Sequence, residues 1–249
     1  MVLADKKRQD ERQASRPEKP SSKAISKDAI IAMLKRRIML LDYAPGTPMD
    51  EASLVQEFGI SRTPLRDILR QLAGEGYVQI HENRGAIVAP MDAKSMRHFF
   101  MTAPMIYAAT SRLAAQIATA SQIDKLSDIQ RQFKQAVSDQ SVESLVFLND
   151  QFHFQIGEMA DNAYLKPSLQ RLLMEHARIG QTFWQSEAGI ISKRITEASL
   201  HHDQFVEIFA AHDEEAAVAL TLSHWELSRK DMDDYIRPDP LREVIDLGL

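Results

Sequence analysis

The residues of this chain best suited to chemistry are three histidines in its second half. His153 follows Asn149 by four positions, so on a helix both side chains project from one face toward a common point. His202 and His224 each share a helical face with apolar residues, which points both imidazoles inward. Three inward histidines on three helices can hold a divalent transition metal, with an oxygen donor from Asn149. The alternative is that each is a core histidine satisfied by a hydrogen bond.

A second set of functional side chains is a row of arginines between residues 59 and 72. Arg62, Arg66 and Arg70 recur every four residues and therefore share one side of a helix. The opposite side carries an apolar stripe that we expect to be buried: Leu65, Ile68, Leu69 and Leu72. Such a helix suits insertion into the major groove of DNA, where guanidinium groups reach guanine edges or phosphates. The alternative is an ordinary surface helix with solvated arginines.

Residues at the ends of two neighbouring elements can add contacts to DNA. Ser61 and Thr63 lie at the predicted N-terminus of the arginine helix, where hydroxyls and free backbone N–H groups hold a phosphate. Arg84 lies beside Gly85 at the tip of a predicted hairpin, from which it can enter the adjacent minor groove. The predicted DNA-binding set is therefore Ser61, Arg62, Thr63, Arg66, Arg70, Arg84 and Gly85.

The elements that must position these arginines lie in the first 90 residues. Apolar spacing, turn residues and helix caps predict helices near 24–41, 50–59 and 61–74 and strands at 77–80 and 86–89. Three helices followed by a β-hairpin are typical of a winged helix-turn-helix. Residues 1–22 are polar and charged, and we expect them to form a disordered arm, so the predicted DNA-binding domain spans 23–90.

The elements that must position the histidines are all helical. Amphipathic stretches occur near 93–119, 122–138, 141–159, 164–186, 189–211 and 213–236. They predict an all-α bundle of six or seven helices over 91–236, followed by a tail at 237–249. The expected fold class is mostly α: an N-terminal winged helix-turn-helix, with three helices plus a β-hairpin wing, and a C-terminal all-α bundle.

Composition is consistent with this division. Residues 1–90 carry 15 Lys and Arg against 12 Asp and Glu, a balance of +3, whereas residues 91–249 carry 15 against 23, a balance of −8. A mildly basic first third is consistent with a chain in which only the N-terminal part contacts the phosphates of DNA. Cysteine is absent, which excludes disulfides and thiolate metal sites. No apolar run approaches the roughly 20 residues of a membrane helix, and the N-terminus lacks the apolar region of a signal peptide, so we expect a cytoplasmic protein.

The first 90 residues resemble the DNA-binding domain of the GntR family. The resemblance rests on Pro45-Gly46, on the run from Gly59 to Leu69, on Leu72 to Val78, and on Arg84-Gly85-Ala86. In that family the Ser-Arg-Thr-Pro-x-Arg segment begins the recognition helix, which implies that Arg62 and Arg66 meet DNA. Some members place a basic residue early in the second helix, where this chain has Ala52 and Ser53.

The second domain resembles the FCD ligand-binding domain of the FadR subfamily. The resemblance rests on the Asn-x-x-x-His pattern at 149–153, on His202 eleven residues before Asp213, and on His224 eleven residues after it. It implies that Asn149, His153, His202 and His224 hold a divalent transition metal, with zinc preferred and nickel as the second choice. Asn149 is uncharged where the family more often has a carboxylate, which removes one negative charge from the donor set.

The resemblance also concerns a small-molecule effector. Related sequences often carry Arg and Glu in the first helix of this domain, where the Arg clamps a ligand carboxylate; here those positions are Ala103 and Tyr107. Arg112, Arg171 and Arg178 are possible substitutes, of which we single out Arg112 and Arg178, and Tyr107 is the predicted neighbour of the ligand. One alternative is an organic acid bound through the metal itself, and another is an effector that is larger or less acidic than a simple organic acid.

These features together predict a dimeric transcriptional repressor that is not an enzyme. The predicted partners are a pseudo-palindromic double-stranded operator, a small metabolite and a second copy of the chain, with no membrane. A metal-dependent hydrolase or lyase using the three histidines is the alternative, although the chain lacks a His-Glu-x-x-His motif. A winged helix that serves protein association alone is a third possibility, and it predicts binding that does not fall steeply with salt.

Overall fold

The computed structural model describes residues 25–82, 84–183 and 193–236. Within these ranges the chain forms nine helices and one two-stranded antiparallel sheet. The elements are α1 Lys27–Met39, α2 Glu51–Phe58, α3 Arg62–Gly74, β1 Val78–His81, β2 Gly85–Val88, α4 Ala93–Ile117, α5 Ala120–Ser138, α6 Val142–Met159, α7 Leu165–Phe183, α8 Lys193–Ala210 and α9 Glu214–Ile236. The predicted fold class is confirmed. The predicted arm at 1–22 and tail at 237–249 lie outside the described residues.

Local capping places the three N-terminal helices. The Ser26 hydroxyl accepts a hydrogen bond from the backbone N–H of Ala29 at the start of α1, and the Asp50 carboxylate accepts from the backbone of Ala52 at the start of α2. Gly59 ends α2 with a φ of 64°, a left-handed conformation that glycine adopts without a steric penalty. The turn between α2 and α3 is therefore short, as a helix-turn-helix requires.

The β1–β2 hairpin, hereafter the wing, follows α3 directly. Its register pairs Val78 with Val88 and His81 with Gly85, so each strand lies one residue from its predicted position. Gly85 has a φ of 71°, which lets the second strand begin at the turn itself. The backbone at 46–49 also pairs with β2, since the N–H of Met49 donates to the carbonyl of Ala86 over 2.8 Å. The wing thus has its inner edge covered.

Six helices, α4 to α9, form the C-terminal bundle. Helix α4 packs against α9 and α7, while α5 packs against α6 and α8. The core between them is built from large apolar side chains that are almost completely buried, among them Leu126, Phe152, Phe205 and Phe209. No helix within the described ranges combines the length and apolarity needed to cross a membrane.

The two halves of the chain share a packed boundary. Val146 on α6 and Met174 and Ala177 on α7 belong to the same apolar cluster as the core of the winged helix. Arg36 on α1 also pairs with Glu143 on α6. Helices α6 and α7 are therefore in direct contact with the winged helix.

Candidate DNA-binding surface and candidate metal centre

The candidate DNA-binding surface is formed by the solvent-facing side of α3 together with the wing. Leu65, Ile68, Leu69 and Leu72 are at most 2% exposed, as predicted, and they anchor α3 in the core. The opposite side of α3 lines a groove of about 590 Å³ together with the wing. Residues lining this groove include Glu51, Arg62, Arg66, Arg70, His81 and Gly85.

The arginines of α3 keep their guanidinium groups accessible. The side chain of Arg66 is 60% exposed, and its Nε lies 3.3 Å from a carboxylate oxygen of Glu51 on α2. Arg70 is 68% exposed and pairs with Asp67 one turn earlier over 3.0 Å. Such exposed pairs contribute little to stability and can be exchanged for a phosphate or a base edge at low cost. Arg66 and Arg70 therefore line the groove with accessible side chains.

The ends of α3 and of the wing also face solvent. Ser61 is the N-cap of α3, but its hydroxyl makes no hydrogen bond to the helix backbone. Thr63 in the first turn is exposed, as is Arg84 at the wing tip. An exposed hydroxyl beside unpaired backbone N–H groups and an exposed arginine are groups that bind phosphate oxygens.

The candidate metal centre lies inside the bundle. His153 on α6, His202 on α8 and His224 on α9, hereafter the histidine cluster, each offer one ring nitrogen, and these three nitrogens lie within 4.8 Å of one another. The ring centroids are 5.5 Å apart for His153 and His202, and 5.1 Å apart for His202 and His224. Residues 71 positions apart in sequence therefore meet at one point.

Each member of the histidine cluster presents a buried nitrogen that has no hydrogen-bond partner. These atoms are Nε2 of His153, Nε2 of His202 and Nδ1 of His224. Leaving a buried polar atom unpaired costs free energy, and three such atoms on histidines whose ring nitrogens come within 4.8 Å of one another fit the lone-pair requirement of a transition metal. The observation also disfavours the alternative of core histidines fully satisfied by hydrogen bonds.

Burial keeps these imidazoles uncharged. Desolvation lowers the pKa of His202 to about 3, and it holds the pKa values of His153 and His224 well below the ordinary range. Neighbouring imidazoles add to the effect, because a second positive charge in the cluster would repel the first. Neutral imidazole is the form that binds a metal, so the donor set is ready at neutral pH.

The ring of His202 is held by two neighbours. Phe152 stacks on it with ring centroids 3.9 Å apart and an interplanar angle of 9°. Gln130 on α5 lies with its Oε1 3.2 Å from His202 Nδ1. The ring therefore has one fixed plane and one fixed orientation.

Asn149 and Tyr107 lie in the same part of the bundle. Asn149 is 4% exposed and precedes His153 by one turn on α6. The Tyr107 ring centroid is 5.5 Å from that of His153, and its hydroxyl lies 3.1 Å from Nδ1 of His176 on α7. Burial lowers the pKa of His176 to about 4, so this fourth imidazole is uncharged as well. A ligand beside the cluster would meet neutral polar groups from Tyr107 and His176.

The two arginines predicted to bind the effector have other partners. Arg112 forms an ion pair with Glu215 on α9 over 2.6 Å. Arg178 is completely buried; its guanidinium donates to the carbonyls of Ala89 and Pro90 and pairs with Glu175. These contacts favour structural roles for both side chains over effector binding.

Two residues near the cluster were missed by sequence reasoning. His176 follows Leu169 and Leu173 on the buried stripe of α7, and Gln130 lies between Leu126 and Phe133 on the buried stripe of α5. The signal was available in both cases, because a polar side chain at an apolar helical position must find a buried partner. The identity of that partner depends on how the helices pack, and the spacing of apolar residues in the sequence does not determine it.

Two family profiles match the chain. Residues 26–88 match "Bacterial regulatory proteins, gntR family", and residues 105–227 match "FCD domain". The HTH-type transcriptional repressor RspR of Escherichia coli K12 is 31% identical over 132 residues, which is 53% of this chain and 58% of that protein. The chain thus aligns with little more than half the length of RspR. The Nta operon transcriptional regulator of Aminobacter aminovorans is 26% identical over 186 residues, 73% of this chain and 82% of that protein.

Solved structures share the fold. The Escherichia coli protein McbR/YncC superposes with a TM-score of 0.69 at 15% identity, covering 84% of this chain and 95% of that one. A GntR transcriptional regulator from Rhodococcus sp. RHA1 gives a TM-score of 0.64 at 14% identity, covering 84% and 96%. A winged helix-turn-helix joined to a helical bundle is therefore an arrangement these proteins have in common.

Proposed function

The chain belongs to the GntR family of bacterial regulatory proteins and carries an FCD domain, and on this premise we propose that it is a metal-dependent transcriptional repressor. Its winged helix-turn-helix binds double-stranded operator DNA, and its bundle senses a small anionic metabolite at a divalent metal. The observation that carries the sensing role is the convergence of three buried nitrogens without partners in the histidine cluster. Repression is the function that the printed name of RspR gives that relative.

The metal is zinc, with nickel as the second choice. Asn149, His153, His202 and His224 supply the donors: an amide oxygen and three neutral imidazoles suit a borderline cation. When bound, such an ion supplies a positive charge and an open position that accepts an anionic oxygen. The protein residues fix the donors in place and exclude bulk water, because all four side chains are at most 7% exposed.

The proposed effector is an anion because the proposed donor set carries no charge. A divalent ion held by Asn149 and three neutral histidines leaves an uncompensated double positive charge in a buried site, which is costly. A carboxylate or a related oxyanion in the open position would compensate it. The two candidate arginine clamps, Arg112 and Arg178, already have carboxylate partners, so the metal takes over their predicted task.

Helix α7 is the proposed route from effector to DNA. It places His176 beside the histidine cluster, and two residues later Arg178 contacts the backbone that leads out of the wing. An effector that prefers one position of α7 would thereby favour one placement of α3, and operator DNA would favour the same effector state reciprocally. A homodimer is part of the proposal, because two recognition helices reading two half-sites provide the specificity that one lacks.

The test of the metal centre is the metal content of the purified protein. Protein purified without added metal or chelator is analysed by elemental mass spectrometry, alongside His202→Ala and the exposed control His98→Ala. We expect about one zinc or nickel per chain in the wild type and in His98→Ala, with the metal lost in His202→Ala. Full metal occupancy in His202→Ala would contradict the ligand set. Absence of metal after exposure to zinc and nickel would leave a regulator whose effector is bound by side chains alone.

The rival function, a hydrolase or lyase built on the same three histidines, has less support. The profile that matches residues 26–88 is described as bacterial regulatory proteins, and RspR and the Nta operon protein are named as transcriptional regulators. Nucleic-acid association distinguishes the two: a regulator binds duplex DNA with an affinity that falls steeply with salt.

A further inference from the structure

Gln130 is a buried residue on α5 whose side-chain amide nitrogen and oxygen both have hydrogen-bond partners. Its nitrogen lies 2.7 Å from the backbone carbonyl oxygen of Ser199 and 3.1 Å from a carboxylate oxygen of Asp203. Its oxygen lies 3.2 Å from Nδ1 of His202. The side chain is 3% exposed, so water does not compete for these contacts.

Only one orientation of this amide satisfies its neighbours. A carbonyl and a carboxylate accept hydrogen bonds and cannot donate, so the group facing Ser199 and Asp203 must be the NH₂ donor. Rotating the amide would place its oxygen against two other oxygens. The other carboxylate oxygen of Asp203 pairs with the ammonium of Lys134 on α5 over 2.7 Å. The amide oxygen of Gln130 is therefore fixed toward His202.

This orientation has a consequence for the imidazole. An amide oxygen accepts only, so Nδ1 of His202 must carry the proton, and in the neutral ring Nε2 then has the free lone pair. Nε2 is the buried atom of His202 that has no hydrogen-bond partner and belongs to the histidine cluster. The stacked ring of Phe152 keeps the imidazole from turning out of this plane.

We propose that Gln130 is a positioning residue of the metal centre, which holds His202 in the Nδ1–H tautomer and aims its Nε2 lone pair at the metal. This inference rests on the proposed metal site. It adds a residue outside the four proposed ligands. In this arrangement a side chain of α5 determines which nitrogen of His202 carries the proton. Partners of this kind orient ligating histidines and affect metal affinity.

The first test is the tautomer itself, in the zinc-free full chain at pH 7.5. Histidine-selective ¹⁵N labelling and two-bond ¹H–¹⁵N correlation distinguish protonated from unprotonated ring nitrogens, and the His202 signals are identified by their absence in His202→Gln. We expect His202 as the Nδ1–H form in the wild type. In Gln130→Met, which removes the acceptor but keeps the volume, we expect the Nε2–H form to appear. The Nε2–H form in the wild type would overturn the proposal.

The second test is zinc affinity, measured by competition with a chromophoric chelator. Gln130→Met should weaken zinc binding by roughly 10- to 100-fold. The control is Gln155→Met, a buried glutamine whose amide bonds the carbonyl of Gln122, and it should keep the wild-type affinity. Wild-type affinity in Gln130→Met would overturn the role of Gln130 while leaving the metal centre in place. A wild type that shows the Nδ1–H form but binds no zinc would overturn the metal centre and, with it, this role.

Discussion

The guanidinium of Arg178, on a helix of the bundle, donates a 2.6 Å hydrogen bond to the carbonyl oxygen of Ala89, at the end of the winged helix-turn-helix. A second hydrogen bond, of 3.3 Å, reaches the carbonyl of Pro90. The arginine is completely buried and pairs with Glu175 in the preceding turn. A buried charge is tolerated only where it is paired and hydrogen-bonded, so the position of the segment at 89–90 is coupled to that of α7.

Replacing Arg178 should therefore destabilise the whole chain. Arg178→Met keeps the aliphatic volume but leaves Glu175 and two carbonyls without their donor, which costs about 3–5 kcal/mol in the free energy of unfolding. Urea denaturation followed by circular dichroism measures this, and proteolysis near residues 89–92 reports on loosening of the boundary. The control is Arg112→Met, which removes an exposed pair and should change stability little. Equal stability of the two variants would rule out the coupling.

The proposed role of α3 in DNA recognition makes a separate prediction. Arg66→Ala should weaken binding to a duplex selected from a random pool by about 1–3 kcal/mol, because the exposed guanidinium is positioned for a base or phosphate contact. Fluorescence anisotropy measures the affinity. Arg131→Ala removes a similarly exposed arginine on α5, which pairs with Asp128 as Arg66 pairs with Glu51, and it should leave binding unchanged. Parallel losses in both variants would indicate a general charge effect.

The proposed ligand Asn149 is uncharged, which predicts that a carboxylate at this position would bind the metal more tightly. Asn149→Asp adds a negative charge to the donor set, so its zinc affinity should rise on the order of tenfold, which is about 1.4 kcal/mol. The comparison variant is Asn162→Asp, at the residue whose side chain accepts from the backbone at the start of α7. Competition with a chromophoric chelator measures the zinc affinity of both variants. Unchanged affinity in Asn149→Asp would remove residue 149 from the ligand set.

The buried imidazoles predict a dependence of stability on pH in the zinc-free protein. The histidine cluster and His176 have folded pKa values below 6.5, His176 at about 4 and His202 at about 3. Below pH 6.5 the unfolded chain takes up protons that the folded chain does not, so the stability present above pH 6.5 is lost as the pH falls toward 4.

Two carboxyls oppose this trend. Burial raises the pKa of Asp150 to about 6 and also raises that of Glu175, so these groups favour the folded state as the pH falls. Four imidazoles destabilise the folded state at low pH and only two carboxyls stabilise it, so the net effect is a loss of stability. We expect the free energy of unfolding to be several kcal/mol lower at pH 5.0 than at pH 7.5. Urea titrations at both pH values measure it, and equal values would mean that the imidazoles are hydrated in the folded protein.

Sequence reasoning succeeded where the determinant is local. The apolar stripe that begins at Leu65, the cap at Asp50 and the turn glycine at 59 depend on neighbours within about one helical turn. The one-residue displacement of both strands arose from the hairpin, because Gly85 tolerates a left-handed φ and allows pairing at the turn itself. The inward direction of His202 and His224 followed from helical periodicity alone, and both side chains are buried.

The sequence by itself determined which helix faces are buried and which residue types lie on them. Only the tertiary structure decided which faces meet. His202 and Gln130 are 72 residues apart, and Arg178 and Ala89 are 89 apart, yet each pair is joined by a hydrogen bond. Helical periodicity does not identify the helix against which a buried face packs. That pairing depends on how the side chains of all six bundle helices fill one core. Arg178 was therefore predicted as a candidate effector ligand, whereas packing gives it the carbonyls of Ala89 and Pro90 as partners.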